Sequence, residues 1–283
     1  MTLGELRLGC SSWTEKGWST AFYPPGLAPA EQLRHYATRY DTVEADVTYY
    51  RVPSRSMVLG WRDRTPENFV LSAKFPRSIV HAGAAAQPDA SKVLVWDEVG
   101  RDCEQFLDTM SLLGPKCGPL VLQFPYFNRS AFASAAPFLE RLDAFLERLP
   151  RALRYGVELR NKSWVDESLL SLLRRHQAAF VMVELPYMPH PADLARRFDL
   201  LTCDFAYARL IGDRKRIDAL TDVLDRTVVD QSASLARWAE LANELLQRAK
   251  RVYVYANNHF AGFAPATIDE LSSRIGALGG DGA

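Results

Sequence analysis

Eight short apolar runs recur along the chain, and each is followed by a longer stretch with helical periodicity. Runs of four to eight residues rich in branched and aromatic side chains are typical of strands, whereas apolar residues at three- and four-residue steps are typical of amphipathic helices. The predicted strands cover residues 6–12, 42–48, 69–75, 119–124, 155–160, 179–184, 205–211 and 252–257. The predicted helices cover roughly residues 29–39, 54–64, 97–113, 137–149, 166–176, 191–198, 232–250 and 265–278.

This order of elements predicts the fold class. Eight strand–helix pairs in 283 residues predict a single α/β domain, a (β/α)8 barrel of the TIM type that is regular or slightly irregular. The barrel is expected to occupy residues 1–278, and the terminal sequence GGDGA, residues 279–283, is expected to be a disordered tail.

The lengths of the connections favour the same fold and indicate where a site would lie. Helix-to-strand connections are short, but three strand-to-helix connections are long, at residues 13–28, 76–96 and 212–231. In a barrel all strand-to-helix loops emerge at the carboxyl ends of the strands, which is the face that carries active sites. The long loops therefore predict a functional site on this face.

The second predicted strand, VEADVTYYR, alternates strictly between apolar and polar residues. If Val43, Ala45 and Val47 face the outer helices, then Glu44, Asp46 and Thr48 point into the barrel. The same alternation on other strands predicts further inward-facing polar residues, which are Lys74, Gln123, Glu158, Arg160, Glu184, Tyr207, Arg209 and Asn257. Because burying so many charges in a dry interior is costly, the pattern predicts a solvated polar pocket.

Composition and charge narrow the classes of partner. Lys and Arg together number 34, as do Asp and Glu, so the formal net charge is zero, which disfavours strong non-specific binding to nucleic acid. The four cysteines form no C-x-x-C pair and are expected to be reduced thiols in a cytoplasmic protein. No signal peptide or membrane span is expected, so a membrane partner is not predicted.

Several motifs resemble those of a known family. In chain order they are LGCSSWTEKGW, FYPPG, YDTVEADVTYYR, LSAKFPRSIVH, GPLVLQFP, GVELRNKSW, CDFAYARLIGDRK and VYVYANNHFAG. They resemble the YecE-like family, domain-of-unknown-function family 72, over nearly the whole chain. The resemblance implies a TIM-type barrel but supplies no activity. Asp46 stands where many members have Asn, and Ile211 stands where many have His.

The resemblance implies that recurring polar positions of the family fall on eight residues of this chain. These are Glu44, Lys74, Gln123, Glu158, Arg160, Arg209, Asn257 and Asn258.

The residues themselves indicate three candidate catalytic carboxylates, Glu44, Asp46 and Glu158. Like charges at Glu44 and Asp46 would raise one pKa toward neutrality, which suits a general acid–base. The candidate substrate-binding residues are Trp13, Lys74, Gln123, Arg160, Tyr207, Arg209, Asn257 and Asn258. Ion pairs that merely lock the strand register are the structural alternative, and Trp13 could equally pack beneath its loop.

No metal or other cofactor is predicted, because no histidine spacing supports a metal site and the nearby cations would oppose one. Three functions remain open. The first is an enzyme that acts on a small polar, anionic or sugar-like substrate. The second is a nucleic-acid-binding or nuclease-like barrel, suggested by the aromatic residues and the basic run DRKR. The third is a non-catalytic ligand-binding or assembly protein. The reaction and the oligomeric state are left open.

Overall fold

The computed structural model describes residues 3–83 and 87–280 of the chain, and side chains up to residue 278. Its eight strands are β1 (Glu5–Cys10), β2 (Thr42–Ala45), β3 (Val70–Lys74), β4 (Cys117–Gln123), β5 (Tyr155–Glu158), β6 (Ala179–Glu184), β7 (Phe205–Leu210) and β8 (Arg251–Ala256). They form one parallel sheet in the order β1-β8-β7-β6-β5-β4-β3-β2, which curves into a nearly closed barrel. The predicted fold class is therefore confirmed.

Eleven α-helices lie in the described part of the chain. They are α1 (Trp18–Ala21), α2 (Pro29–Tyr36), α3 (Arg55–Asp63), α4 (Arg77–Val80), α5 (Trp96–Ser111), α6 (Ala135–Glu147), α7 (Glu167–His176), α8 (Pro191–Ala195), α9 (Arg214–Asp218), α10 (Ser232–Leu246) and α11 (Ala264–Gly280). Each predicted helix has a counterpart here. The short helices α1, α4 and α9 lie inside the three long loops. Residues 279 and 280 of the predicted tail belong to α11, whereas residues 281–283 lie outside the described residues.

The alternation of side chains divides the core into two layers. The outer layer, between the strands and the helices, holds Val43, Ala45 and most of the other buried apolar residues, as the alternation predicts. A smaller cluster fills the lower barrel with Val70, Val121, Ala179, Val181, Phe205, Tyr207, Tyr253 and Tyr255. Apolar packing thus fills the lower interior and leaves the polar residues at the carboxyl ends of the strands.

A tyrosine from α2 joins β1 to β2, where the sheet order has its two ends. Cys10 N donates a hydrogen bond to Tyr36 Oη at 2.7 Å, and Tyr36 Oη donates to Thr42 O at 3.1 Å. The strands approach closely at Gly9, where an added Cβ would lie 2.2 Å from Thr42 O. Gly9 therefore permits the approach, and Tyr36 bridges the backbone groups of the two strands.

The second strand is shorter than the alternation predicts. β2 ends at Ala45, and Asp46–Tyr49 forms a 3-10 turn. The hydroxyl of Thr48 fixes this turn, because it accepts from Lys74 N at 3.1 Å and lies within donating distance of Ala45 O, at 2.9 Å, and Lys74 O, at 2.8 Å. The expectation that Val47 packs against the outer helices is wrong, since Val47 is 38% exposed. Asp46 and Thr48 reach the interior through the turn rather than through strand alternation.

Two further observations bear on expectations from the sequence. Within the described ranges, no helix is both long and apolar enough to cross a membrane. All four cysteines are free thiols, of which Cys10 and Cys103 are buried.

Candidate functional site

A cavity of about 840 Å³ opens at the carboxyl ends of the strands. The loops after six of the eight strands and the last residues of β3 and β4 surround it, and its walls carry a mixture of charged, amide, hydroxyl and aromatic side chains. The lining includes Ser11, Trp18, Asp46, Tyr49, Tyr50, Lys74, Gln123, Arg160, Tyr187, Arg209, Arg214, Lys215, Asn257 and Asn258. A cavity of this size matches a small-molecule site.

Arg209, on β7, lies at the floor of the cavity and contacts three other strands. Its Nε and Nη2 donate to Glu44 Oε1 at 3.1 and 2.8 Å, and its Nη1 donates to Gln123 Oε1 at 2.7 Å and to Glu158 Oε2. Both carboxylates are fully buried, and Arg209 is 2% exposed. Burial opposes the charge on Arg209, but Glu44 and Glu158 outweigh it and raise the pKa of Arg209 well above its ordinary value.

Glu44 is held ionised by its neighbours. Burial raises the pKa of Glu44, but Arg209 and Lys74 outweigh burial and leave this pKa well below its ordinary value. Tyr207 Oη donates to Glu44 Oε2 at 2.7 Å and lowers the pKa further. Tyr207 is fully buried and lies beneath the cavity rather than in its lining.

Asp46 has a different environment from Glu44. Its carboxylate lines the cavity and forms an ion pair with Lys74 Nζ, which also lies 3.7 Å from Glu44 Oε1. Burial raises the pKa of Asp46, Lys74 lowers it, and the negative charge of Glu44 raises it again, which leaves the pKa at about 6. The two neighbouring carboxylates therefore have pKa values that are shifted in opposite directions, mainly because burial raises the pKa of Asp46 and the nearby cations lower the pKa of Glu44.

Glu158 and Arg160 form the remaining ion pair of the site. Arg160 Nε lies 3.3 Å from Glu158 Oε1, and Glu158 Oε2 accepts from Arg209. Burial raises the pKa of Glu158, but Arg209 and Arg160 outweigh burial and lower it overall. Arg160 is partly exposed in the cavity wall, and no described residue accepts a hydrogen bond from its two Nη atoms.

The two asparagines and Trp13 differ in their access to the cavity. Asn257 lines it, and its Oδ1 accepts from His259 N at 3.0 Å. Asn258 also lines it, but its Oδ1 is occupied by Trp18 Nε1 at 3.2 Å and Ala264 N at 2.9 Å. Trp13 is not among the lining residues, because its ring packs edge-on against Trp61 of α3 with the centroids 5.6 Å apart.

The expectation that Glu184 points into the barrel is wrong. Glu184 accepts hydrogen bonds from Ser234 Oγ at 2.8 Å and from Trp238 Nε1, both of which belong to the outer helix α10. Its strand places Ala179 and Val181 in the lower barrel cluster, so Glu184 lies on the opposite side of β6. Of the inward-facing charges that the alternation predicts, three carboxylates and three cations therefore remain, rather than four and three.

Sequence reasoning did not assign several lining residues to the site. Tyr49, Tyr50 and Tyr187 follow β2 and β6, and Arg214 and Lys215 begin α9. Their places in strand-to-helix loops were the available signal, since such loops surround the mouth of a barrel. Ser11, just beyond β1, is another lining residue that the sequence did not assign to the site.

The donor chemistry of the cavity does not resemble a metal site. No group of three or more His, Cys, Asp or Glu residues that could hold a metal ion occurs in the part of the chain that the structure describes. Lys74 and Arg160 occupy the walls instead, beside the carboxylates that a cation would need. The side chains present suit an anion better than a metal cation.

Comparison with known proteins adds the family. Residues 7–280 match the family described as "Protein of unknown function DUF72". The chain is 32% identical over 157 residues to the UPF0759 protein YecE of Escherichia coli K12, a match that covers 55% of this chain and 48% of that protein. By this match, the chain spans about half the length of its curated relative.

Solved structures support the same grouping. A DUF72 family protein of Thermotoga maritima superposes with a TM-score of 0.72 at 25% identity, covering 96% of this chain and 99% of that one. A DUF72 family protein of Enterococcus faecalis gives a TM-score of 0.66 at 20% identity, covering 98% of each chain. A D-psicose 3-epimerase crystallised with D-fructose gives 0.54 at 12% identity, covering 96% and 97% of the two chains, and shows the shared fold alone.

The resemblance found in the sequence motifs is thereby confirmed. Since the family match extends over nearly the entire barrel, the chain belongs to the DUF72 family of proteins of unknown function.

Proposed function

We propose that this protein is an enzyme that binds a small anionic substrate in the cavity and transfers a proton on it. The observation that carries the proposal is the cationic wall formed by Lys74 and Arg160. The two Nη atoms of Arg160 make no hydrogen bond to any described residue, so they are available to a carboxylate or phosphate.

The charges around the cavity support an anionic ligand. Lys74, Arg160 and Arg209 contribute three positive charges, and Glu44 and Glu158 contribute two buried negative ones. The net charge of these five side chains and Asp46 is zero when Asp46 is ionised and plus one when Asp46 is protonated. An anion that enters beside Lys74 therefore favours the protonated form of Asp46, and binding is coupled to proton uptake.

Asp46 is the group that we assign to proton transfer. It lines the cavity, and its pKa of about 6 lets it accept and return a proton near neutral pH. Lys74 beside it can stabilise negative charge that develops on the substrate when the proton leaves. Glu44 and Glu158 have no exposed surface, so we assign them to holding Arg209 rather than to contact with substrate.

The first experiment compares ligand binding by thermal shift for panels of anionic and neutral metabolites. Anionic compounds should raise the melting temperature of the wild type, and Arg160→Gln and Lys74→Met should remove this effect. Lys250→Met is the matched control, because Lys250 is 78% exposed at the opposite end of the barrel and its loss changes the net charge equally. Equal shifts with neutral compounds, or salt-dependent DNA binding that survives both variants, would contradict the proposal.

The second experiment tests for catalysis. The anionic ligand with the largest thermal shift is incubated in deuterated water with the wild type and with Asp46→Asn, and exchange of carbon-bound hydrogen is followed by NMR. The wild type should incorporate deuterium, whereas Asp46→Asn should bind the ligand without exchange. Binding without exchange in the wild type would instead support a non-catalytic binding protein.

A further inference from the structure

Ser11 carries a buried hydroxyl group in the cavity wall. Ser11 N donates to Ala256 O at 2.8 Å, so strand geometry continues one residue beyond β1 and places Ser11 on the same inward side as Gly9. The residue is 3% exposed, and its Oγ has no hydrogen-bond partner among the described residues. Because a buried hydroxyl without a partner is costly, its partner is expected in the cavity.

Asn257 stands beside Ser11 on the neighbouring strand. The β1–β8 register pairs Cys10 with Ala256, so Ser11 and Asn257 form the next pair along it. Neighbouring strands lie about 4.8 Å apart, which brings the two side chains within reach of one ligand. His259 fixes the Oδ1 side of Asn257, and no described residue accepts from its Nδ2. Ser11 and Asn257 together present a neutral wall of one hydroxyl and one amide donor.

The opposite wall has a different chemistry. In the strand order, β4 and β5 lie across the barrel from β1 and β8. Gln123 ends β4, and no described residue accepts from its amide nitrogen, while Arg160 follows β5 with its two Nη atoms unpaired by any described residue. Lys74 ends the adjacent strand β3. The wall at the ends of β3 to β5 therefore offers cationic donors, and the Ser11–Asn257 pair facing it at β1 and β8 offers a neutral hydroxyl and amide.

We infer that the substrate is a polyhydroxylated anion, that is, a sugar phosphate or sugar acid. Its phosphate or carboxylate contacts Arg160 and Lys74, and its hydroxyl groups contact Ser11 and Asn257 across the barrel. An inorganic anion would contact only Arg160 and Lys74, and a neutral sugar would contact only Ser11 and Asn257. This inference rests on the proposed anionic substrate and adds the hydroxyl groups and the residues that recognise them.

The test measures affinity by calorimetry for inorganic phosphate, for pentose and hexose monophosphates, for hexuronates and for the corresponding neutral sugars. We expect at least one phosphorylated or carboxylated sugar to bind at least tenfold more tightly than both phosphate and its neutral sugar. Ser11→Ala should weaken the affinity for that sugar anion by roughly five- to tenfold, which corresponds to the loss of one hydrogen bond. The affinity for inorganic phosphate should stay unchanged. The melting temperature of Ser11→Ala should not fall, because no described residue forms a hydrogen bond with the hydroxyl group that is removed.

Ser72→Ala is the matched control. Ser72 is fully buried on β3 and forms a hydrogen bond with Tyr255 Oη at 2.9 Å, below the cavity. Its loss should lower the melting temperature and leave the affinity for the sugar anion unchanged.

Two results would overturn this inference and leave the proposed function standing. The first is that sugar anions bind no more tightly than phosphate, and the second is that Ser11→Ala leaves the affinity for the sugar anion unchanged. If no anion binds, the proposed function fails and the inference fails with it. If only phosphorylated or only carboxylated sugars bind, the result supports the inference and selects between the two anionic groups.

Discussion

Replacing Arg209 by Met removes the cation that two buried carboxylates share. Glu44 and Glu158 are both fully buried, and Arg209 donates hydrogen bonds to each of them. Breaking a buried ion pair by deleting one partner costs about 3–5 kcal/mol, because the remaining charge stays buried without compensation. Lys74 at 3.7 Å from Glu44 and Arg160 at 3.3 Å from Glu158 provide partial compensation.

We therefore expect Arg209→Met to lower the free energy of unfolding by about 3–5 kcal/mol in total, rather than by that amount for each carboxylate. A loss of this size is a large fraction of the roughly 5–15 kcal/mol that stabilises most domains. It should be measured at pH 7 by urea denaturation, followed by tryptophan fluorescence. Arg151→Met is the control and should change stability by less than about 0.5 kcal/mol, because Arg151 is 84% exposed.

The difference in the free energy of unfolding between the wild type and Arg209→Met should depend on pH. In the wild type the pKa values of Glu44 and Glu158 are lowered, so their ion pairs stabilise the fold above the unfolded value near 4.5 and lose this effect as the pH falls through the folded values. Without Arg209 the two carboxylates lose the largest influence that lowers their pKa. The stability difference between wild type and Arg209→Met should therefore be largest near pH 7 and shrink toward pH 4.

Neutralising the carboxylates as well provides a second check. The triple variant with Glu44→Gln, Glu158→Gln and Arg209→Met should recover much of the stability lost in Arg209→Met, because no buried charge of the Arg209 pairs remains. A loss below about 1 kcal/mol in the single variant would refute the reasoning, as would a difference that does not change with pH.

Three further predictions concern neighbouring groups. Glu158→Gln should lower the free energy of unfolding by about 1–3 kcal/mol in urea denaturation, because it weakens the contacts with Arg160 and Arg209. An unchanged melting temperature together with abolished ligand binding would instead indicate that Glu158 contacts the substrate directly. The affinity for sulfate, measured by calorimetry, should rise in the wild type as the pH falls through about 6, because protonation of Asp46 removes the negative charge beside Lys74. In Asp46→Asn the affinity should not change with pH, and parallel pH profiles of the two proteins would contradict the role of Asp46. Tyr36→Phe should lower the free energy of unfolding by about 1–3 kcal/mol in urea denaturation, because Cys10 N loses its acceptor and Thr42 O loses its donor. Tyr187→Phe is the control, because Tyr187 is exposed. Equal losses of stability in the two variants would contradict the bridge between β1 and β2.

The sequence by itself determined the strands, the helices and the face on which the site lies. These features follow from local periodicity and loop length, which are properties of neighbouring residues. Strand alternation also determined the inward direction of Glu44, Lys74, Glu158 and Arg209, because each lies within or at the end of a continuous strand. The motifs added the family, although they supplied no activity.

Predictions from strand alternation were wrong at two places, the direction of Glu184 on β6 and the end of β2. Glu184 was assigned to the wrong side of β6, because residues 179–183 are all apolar and their pattern does not show which side of the strand faces the barrel interior. The strand expected to continue past Ala45 ends there, because Thr48 bonds to the backbone of Lys74, 26 residues away.

Only the tertiary structure decided which inward charges face the cavity and which are hidden. Arg209 pairs with Glu44, which is 165 residues away in the sequence, and with Glu158, which is 51 residues away. These pairs therefore depend on how the strands come together around the barrel. The same is true of the Ser11 hydroxyl group, because its lack of a hydrogen-bond partner among the described residues is a property of the whole surrounding wall. Residue type and alternation predict that a polar group points inward. Whether it meets a partner or an open cavity is decided by residues distant in sequence.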